Sequence, residues 1–146
     1  MNRNRRGFSL VELLIALLII ATLTGAALPN LNRALLRARG VDAVADPNAV
    51  KVAVLNYQAD NTTWPPDRNR GVIPPGLGPY LPEGFSFDKD DYVLDYDNWT
   101  ESVGFVGVTL VTDDRDLLLM VLDLLGTSNT WTNDADKVSW VIEWTD

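Results

Sequence analysis

Cysteine and histidine are both missing from the sequence, and much of enzyme and metal chemistry goes with them. Without cysteine there is no disulfide framework and no thiol nucleophile. Without histidine there is no Ser-His-Asp triad, no imidazole base and no His-ligated zinc. Walker-type glycine loops and EF-hand spacing are absent too, so neither nucleotide-driven work nor a helix-loop-helix calcium site is expected. Positive charge is scarce: twelve basic residues stand against twenty acidic ones, and no Lys or Arg falls between Phe8 and Asn32. Three of the twelve, Arg3, Arg5 and Arg6, precede that gap, which leaves nine basic against twenty acidic residues after it, a formal −11. Such a body is soluble and repelled by anionic lipid and nucleic acid, and no direct nucleic-acid binding is expected. The 146 residues have room for one small domain and an N-terminal segment of separate purpose.

What fills the gap is the longest apolar run of the chain, Phe8 to Leu28, 21 residues with Glu12 as their one ionisable side chain. At about 1.5 Å per residue a helix of that length crosses a ~30 Å hydrocarbon core. Basic residues on one side only place the N-terminus in the cytoplasm and the acidic body outside. An ordinary signal peptide ending near Gly25, Ala26 and Ala27 is the competing reading, with a monomeric secreted binding domain as its product, but it gives Glu12 no role. An acid at membrane depth costs about 2.5 to 3.5 kcal/mol and calls for a partner. A cut between Gly7 and Phe8 would supply one, because Phe8 would gain a positive amine about one helical turn from Glu12, or within reach of Glu12 on a neighbouring copy.

The stretch Gly7-Phe8-Ser9-Leu10-Val11-Glu12, with a short basic leader before it and an apolar helix after it, resembles the N-terminus of type IV pilins and type II secretion pseudopilins. The resemblance implies that a prepilin peptidase cuts after Gly7 and methylates Phe8. It implies that Glu12 pairs with a neighbouring subunit's amine, and that Pro29 sits where many of these helices carry a proline. The partners implied are that peptidase, copies of the chain and related pilins, an assembly platform with its ATPase motor, and the inner membrane. A bacterial single-pass inner-membrane precursor would become an extracellular or periplasmic filament. A type IV pilus, including one serving DNA uptake (competence), and a type II secretion pseudopilus are both compatible with it.

Beyond Pro29, apolar residues at Leu31, Leu35, Ala38, Val41, Ala45, Ala49, Val52, Leu55 and Ala59 step by three or four and mark one helix face. The span therefore continues as an amphipathic stem. Gly25 and Pro29 bracket a site of expected kinking or melting. Asp46-Pro47-Asn48 reads equally as an N-cap followed by proline at the first helical position, which would split the stem in two. Arg33, Arg37 and Arg39 lie on other faces, placed to snorkel or to meet acids on neighbouring subunits.

Residues 61–84 are dense in proline and glycine and form a packed loop. Thereafter Tyr92 to Trp99 alternates as a half-exposed strand, Val103 to Val111 is β-rich, and Asp113 to Leu125 reads as a short helix with an acidic first turn and Gly126 as its stop. Val138, Trp140, Ile142 and Trp144 fall on one strand face. The expected fold is α+β: a long N-terminal helix, membrane-spanning and then amphipathic, packed on a small, mainly antiparallel three-stranded sheet. The divisions are a leader at 1–7, a transmembrane and filament-core helix at 8–28, a stem at 29–60 and an extracytoplasmic head at 61–146, in which 85–146 carry the sheet and short helix.

Asp134 and Asp136 are candidate calcium ligands, because Asp134 to Trp140 resembles the end of major pseudopilins, although the glycine-rich acidic segment that usually precedes it is missing. A solvated acidic surface is the simpler reading of these residues and of Asp88, Asp90 and Asp91. The carboxylate pairs are sequence neighbours without a cleft signature, so no enzyme is expected. Asn61-Thr62-Thr63 and Asn98-Trp99-Thr100 match the glycosylation sequon and read as bare loops. The five tryptophans read as core and subunit contacts rather than sugar platforms. The function expected is that of a structural subunit polymerising through its N-terminal helix.

Overall fold

The computed structural model describes residues 8–125, 130–131 and 136–144. The leader 1–7, Gly126 and Asp134 lie outside the described residues. The elements are α1 (Leu10–Asn61), a 3-10 turn (Gly78–Tyr80), β1 (Val93–Asn98), β2 (Phe105–Val111), α2 (Arg115–Leu125), β3 (Thr130–Trp131) and β4 (Lys137–Trp144). The chain divides within α1 into two units, Met1–Leu35 and Leu36–Asp146.

In the first unit α1 carries nothing but solvent-facing side chains where these are described: Leu10, Leu13, Leu17, Ile20 and Leu23 are all more than half exposed. Its mean hydropathy over 18 residues is 2.4, enough by length and composition to cross a membrane. Leu and Ala favour the helix, and its two threonines are satisfied within it: Thr22 Oγ1 donates to the Ile19 carbonyl and Thr24 Oγ1 to the Ile20 carbonyl, both at 2.8 Å. Neither hydroxyl then needs a partner in hydrocarbon. The helix continues unbroken through Gly25, Pro29 and Pro47, so neither proline ends it.

In the second unit the stem buries Gly40, Ala43, Pro47, Val50, Ala53 and Val54. This corrects the expected face. Val41 and Val52 are 51% and 57% exposed, and Ala38, Ala45 and Ala59 are exposed too; of the row marked out by spacing, Ala49 and Leu55 alone are half-buried in this unit. Small side chains decide the matter by letting α2 approach: a Cβ on Gly40 would stand 2.5 Å from Met120 Cγ and 3.2 Å from Leu124 Cδ1. The stem thus has two apolar faces, one under the head and one open. It ends at Asn61, whose side chain donates to the Tyr57 carbonyl at 2.9 Å, with Thr62 in the left-handed region at φ 57°.

The sheet order is β1-β2-β4-β3, all antiparallel, so the three expected strands are joined by a two-residue fourth. Leu94 and Tyr96 of β1 face the core, with Asp95 and Asp97 opposite, as alternation predicts. On β4 the pairing shifts between Val106 and Gly107, leaving Ile142 as an extra residue. A one-residue bulge inverts the faces beyond it. Val138 and Ile142 therefore reach the core while Trp144, opposite Phe105, is 63% exposed, so the four residues expected on one face do not share it.

Helix α2 starts at Arg115, two residues later than expected. Asp114 is its cap, accepting from the Asp116 and Leu117 N–H groups at 3.0 and 3.1 Å. Arg39 does not wait for a neighbouring subunit: its guanidinium meets Asp91 at 2.8 Å and Asp114 at 2.9 Å, tying stem, loop and α2. Asp46 similarly accepts from the Tyr92 hydroxyl at 2.6 Å and pairs with Lys89 at 3.0 Å. The proline-rich loop packs as expected, with Leu77 fully buried and Tyr80 edge-on to Tyr57 at 5.7 Å; Phe87, just beyond it, is fully buried too.

Two aspartates give the head opposite pH responses. Burial, and then the charge of Asp95, push Asp97 from 3.8 up to about 6; Asp67 adds to this, while Arg70 and the Thr109 hydroxyl oppose it. Lys137, from β4, bears on Asp95. The folded state takes up a proton between about pH 6 and 4 that the unfolded chain does not, so this group's contribution to stability rises as pH falls through that window. The backbone bond from Leu117, and then Arg39, hold Asp114 low, and the stability it contributes is lost only on further acidification below the ordinary aspartate value. Asp97→Asn is expected to raise Tm by a few degrees at pH 7 and by much less at pH 4.5, which thermal melts at the two pH values would check.

Candidate functional site

The N-terminal start of α1 is built from four residues in a row, Ser9 to Glu12. Ser9 Oγ accepts from the Val11 N–H at 3.2 Å, and Glu12 Oε2 accepts from the Ser9 N–H at 2.9 Å. The first helical bond, Leu13 N–H to the Ser9 carbonyl, is 3.2 Å. This is the reciprocal capping box that S-x-x-E spacing encodes. Glu12 therefore has a local role that reasoning from membrane cost alone missed, although the spacing in Ser9-Leu10-Val11-Glu12 was its signal. Its negative charge also lies at the favourable end of the helix dipole.

The box does not compete with processing. A cut before Phe8 converts the Phe8 nitrogen to an amine but leaves the Ser9 N–H a peptide donor. One carboxylate oxygen is engaged by Ser9, and among the described residues Oε1 has no hydrogen-bond partner. Phe8 is 80% exposed. Gly7, on the other side of the expected cut, lies outside the described residues.

Comparison with known proteins bears on this same segment. The prokaryotic N-terminal methylation motif matches residues 2–28, which take in Gly7, Phe8 and Glu12. The chain is also 33% identical over 75 residues to the type IV major pilin protein PilE1 of Neisseria gonorrhoeae, covering 51% of this chain. The N-terminal segment thus carries a methylation motif, and half of the chain is similar to a type IV major pilin. The match spans 35% of that relative, about a third of its length. No solved structure matches the chain at a significant level.

Of the two candidate calcium ligands, one lies within the described residues. Asp136 is described, with its carbonyl accepting from the Thr112 N–H at 3.0 Å, whereas Asp134 is outside the described residues. Among the described residues no three acidic side chains are grouped so as to hold a metal ion. Asp91 is engaged by Arg39, and the Asp88 N–H bonds the Ser86 hydroxyl at 3.1 Å. Both sequon asparagines use their amide nitrogens internally, Asn61 toward the Tyr57 carbonyl and Asn98 toward the Pro65 carbonyl, each at 2.9 Å. Neither amide is poised for modification in the folded chain.

Proposed function

We propose that the chain is a structural, non-catalytic subunit of a type IV pilus-like filament. In this reading a prepilin peptidase cuts between Gly7 and Phe8 and methylates Phe8. The precursor spans the inner membrane once with its head outside, and an assembly platform and its motor extract it into a filament of like copies. The observation that carries the proposal is the capping box, which leaves one Glu12 oxygen engaged by Ser9 and the other open to the Phe8 amine of a neighbour. The open row on the stem, with Val41 and Val52 more than half exposed, supplies apolar surface for subunit packing beyond the span itself. Gly25 and Pro29 are where the helix would unwind on assembly, because Pro29 has no N–H to give the Gly25 carbonyl. The likeness to a major pilin favours a pilus over a secretion pseudopilus.

Mass spectrometry of the mature N-terminus tests this reading. The expected result is a chain beginning at N-methylated Phe8. Retention of the leader, or a start near Leu28 as an ordinary signal peptidase would give, would overturn it.

A further inference from the structure

We propose that the outer face of the head's sheet is a binding groove for a neutral saccharide. The groove has a volume of about 500 Å³, within the range of small-molecule sites. It lies wholly within the second unit, and the proposal holds whether or not the chain polymerises.

The strand register builds the groove in three rows. Asp95, Thr109 and Ser139 stand side by side across β1, β2 and β4. The two hydroxyls are 2.9 Å apart, and Thr109 Oγ1 also donates to Asp97 at 3.2 Å. The next row is Asp97, Gly107 and Val141. Gly107 carries no side chain on this face, and a Cβ there would be 2.9 Å from the Trp140 carbonyl oxygen. The third row is aromatic: Trp99 lies edge-on to Phe105 at 5.0 Å, and Phe105 to Trp144 at 5.1 Å. The β4 bulge brings Trp144 to this face beside Phe105, while the groove's own aromatic lining is Trp99 and Phe105.

The chemistry of the lining selects the ligand. Two carboxylates, Asp95 and Asp97, face two cations, Arg70 and Lys137, so the groove has no net formal charge to offer an ion. Arg70 is 3.9 Å from Asp95 and half exposed. A carboxylate accepts two hydroxyl protons at once, and a guanidinium or ammonium donates to hydroxyl oxygens. The C–H face of a pyranose ring finds an apolar wall in Trp99 and Phe105. Acceptors, donors and an aromatic wall around one small volume suit a molecule dense in hydroxyls and without charge. Trp99 is on this reading a sugar platform, unlike its expected role as a core contact.

The test uses the full chain in a polyoxyethylene detergent, titrated with methyl glycosides of glucose, galactose, mannose and N-acetylglucosamine and followed by saturation-transfer NMR and tryptophan fluorescence. At least one glycoside should bind saturably, with a Kd of about 1 mM for so small a ligand. Asp97→Asn and Arg70→Ala, one isosteric and one at a half-exposed side chain, should each weaken it about tenfold or more while near-UV circular dichroism stays unchanged. Absence of saturable binding by all four glycosides, affinity unchanged in either variant, or preference for lysine methyl ester over every glycoside would each overturn the assignment.

Discussion

Glu12→Gln should leave the precursor inserted and its helix start intact, yet cut filament yield tenfold or more. Glutamine is nearly isosteric, and its amide oxygen can still accept the Ser9 N–H that Glu12 Oε2 holds at 2.9 Å, so the capping box survives. Loss of the charge removes a cost of about 2.5 to 3.5 kcal/mol at membrane depth, so insertion does not suffer. What disappears, on the proposed function, is the attraction to a neighbour's amine, ~4 kcal/mol for unit charges about 4 Å apart at an effective dielectric of 20. That exceeds the ~1 kcal/mol typical of a cap, and it recurs at every subunit added. Glu12→Ala removes both contributions and separates them by difference. Membrane-fraction immunoblots should show equal amounts of processed chain in both variants, with sheared filaments depleted. Wild-type filament yield from the glutamine variant would mean that the acid serves the helix start alone.

The part of the site that was legible in the sequence is the part that is local. Six residues from Gly7 to Glu12 carry their message through spacing along one chain, and the capping box was written in the same letters. Strands β1 and β4 and helix α2 were legible for a similar reason, since alternation and an acidic first turn are short-range signals. The buried stem face was not, because hydrophobic periodicity ranks faces by side-chain size, whereas Gly40, Ala43 and Ala53 were buried for being small. Pro47 misled for another reason: Asp46, which could have capped a new helix, is occupied by Tyr92 and Lys89, and the helix passes through. The groove lay beyond reach altogether. Arg70, Asp97 and Ser139 come from a loop and two strands, and the order β1-β2-β4, with its bulge at Ile142, brings them together.

Phe87→Ala should cost about 3 to 5 kcal/mol, a large share of the roughly 5 to 15 kcal/mol that holds a domain folded. Phe87 is fully buried in the core that joins stem, loop and sheet, and its ring meets Phe85 edge-on at 6.1 Å. The Phe87 carbonyl accepts from the Leu94 N–H at 2.8 Å, so the segment is pinned to β1 by its backbone and cannot slide in to fill the void. A cavity that cannot collapse is the expensive kind. Tyr96→Phe is the matched contrast. It keeps an equally buried ring and deletes one hydroxyl, whose 3.3 Å bond goes to the Pro65 carbonyl. That carbonyl also accepts from Asn98 Nδ2 at 2.9 Å and is not orphaned, so the loss should be about 1 kcal/mol or less. Urea unfolding of the full chain in detergent, followed by near-UV circular dichroism, measures both. Equal midpoints for the two variants would show that the segment holding Phe87 is not part of the core; widely separated ones would show that the chain just before β1 is as structural as the strand it is bonded to.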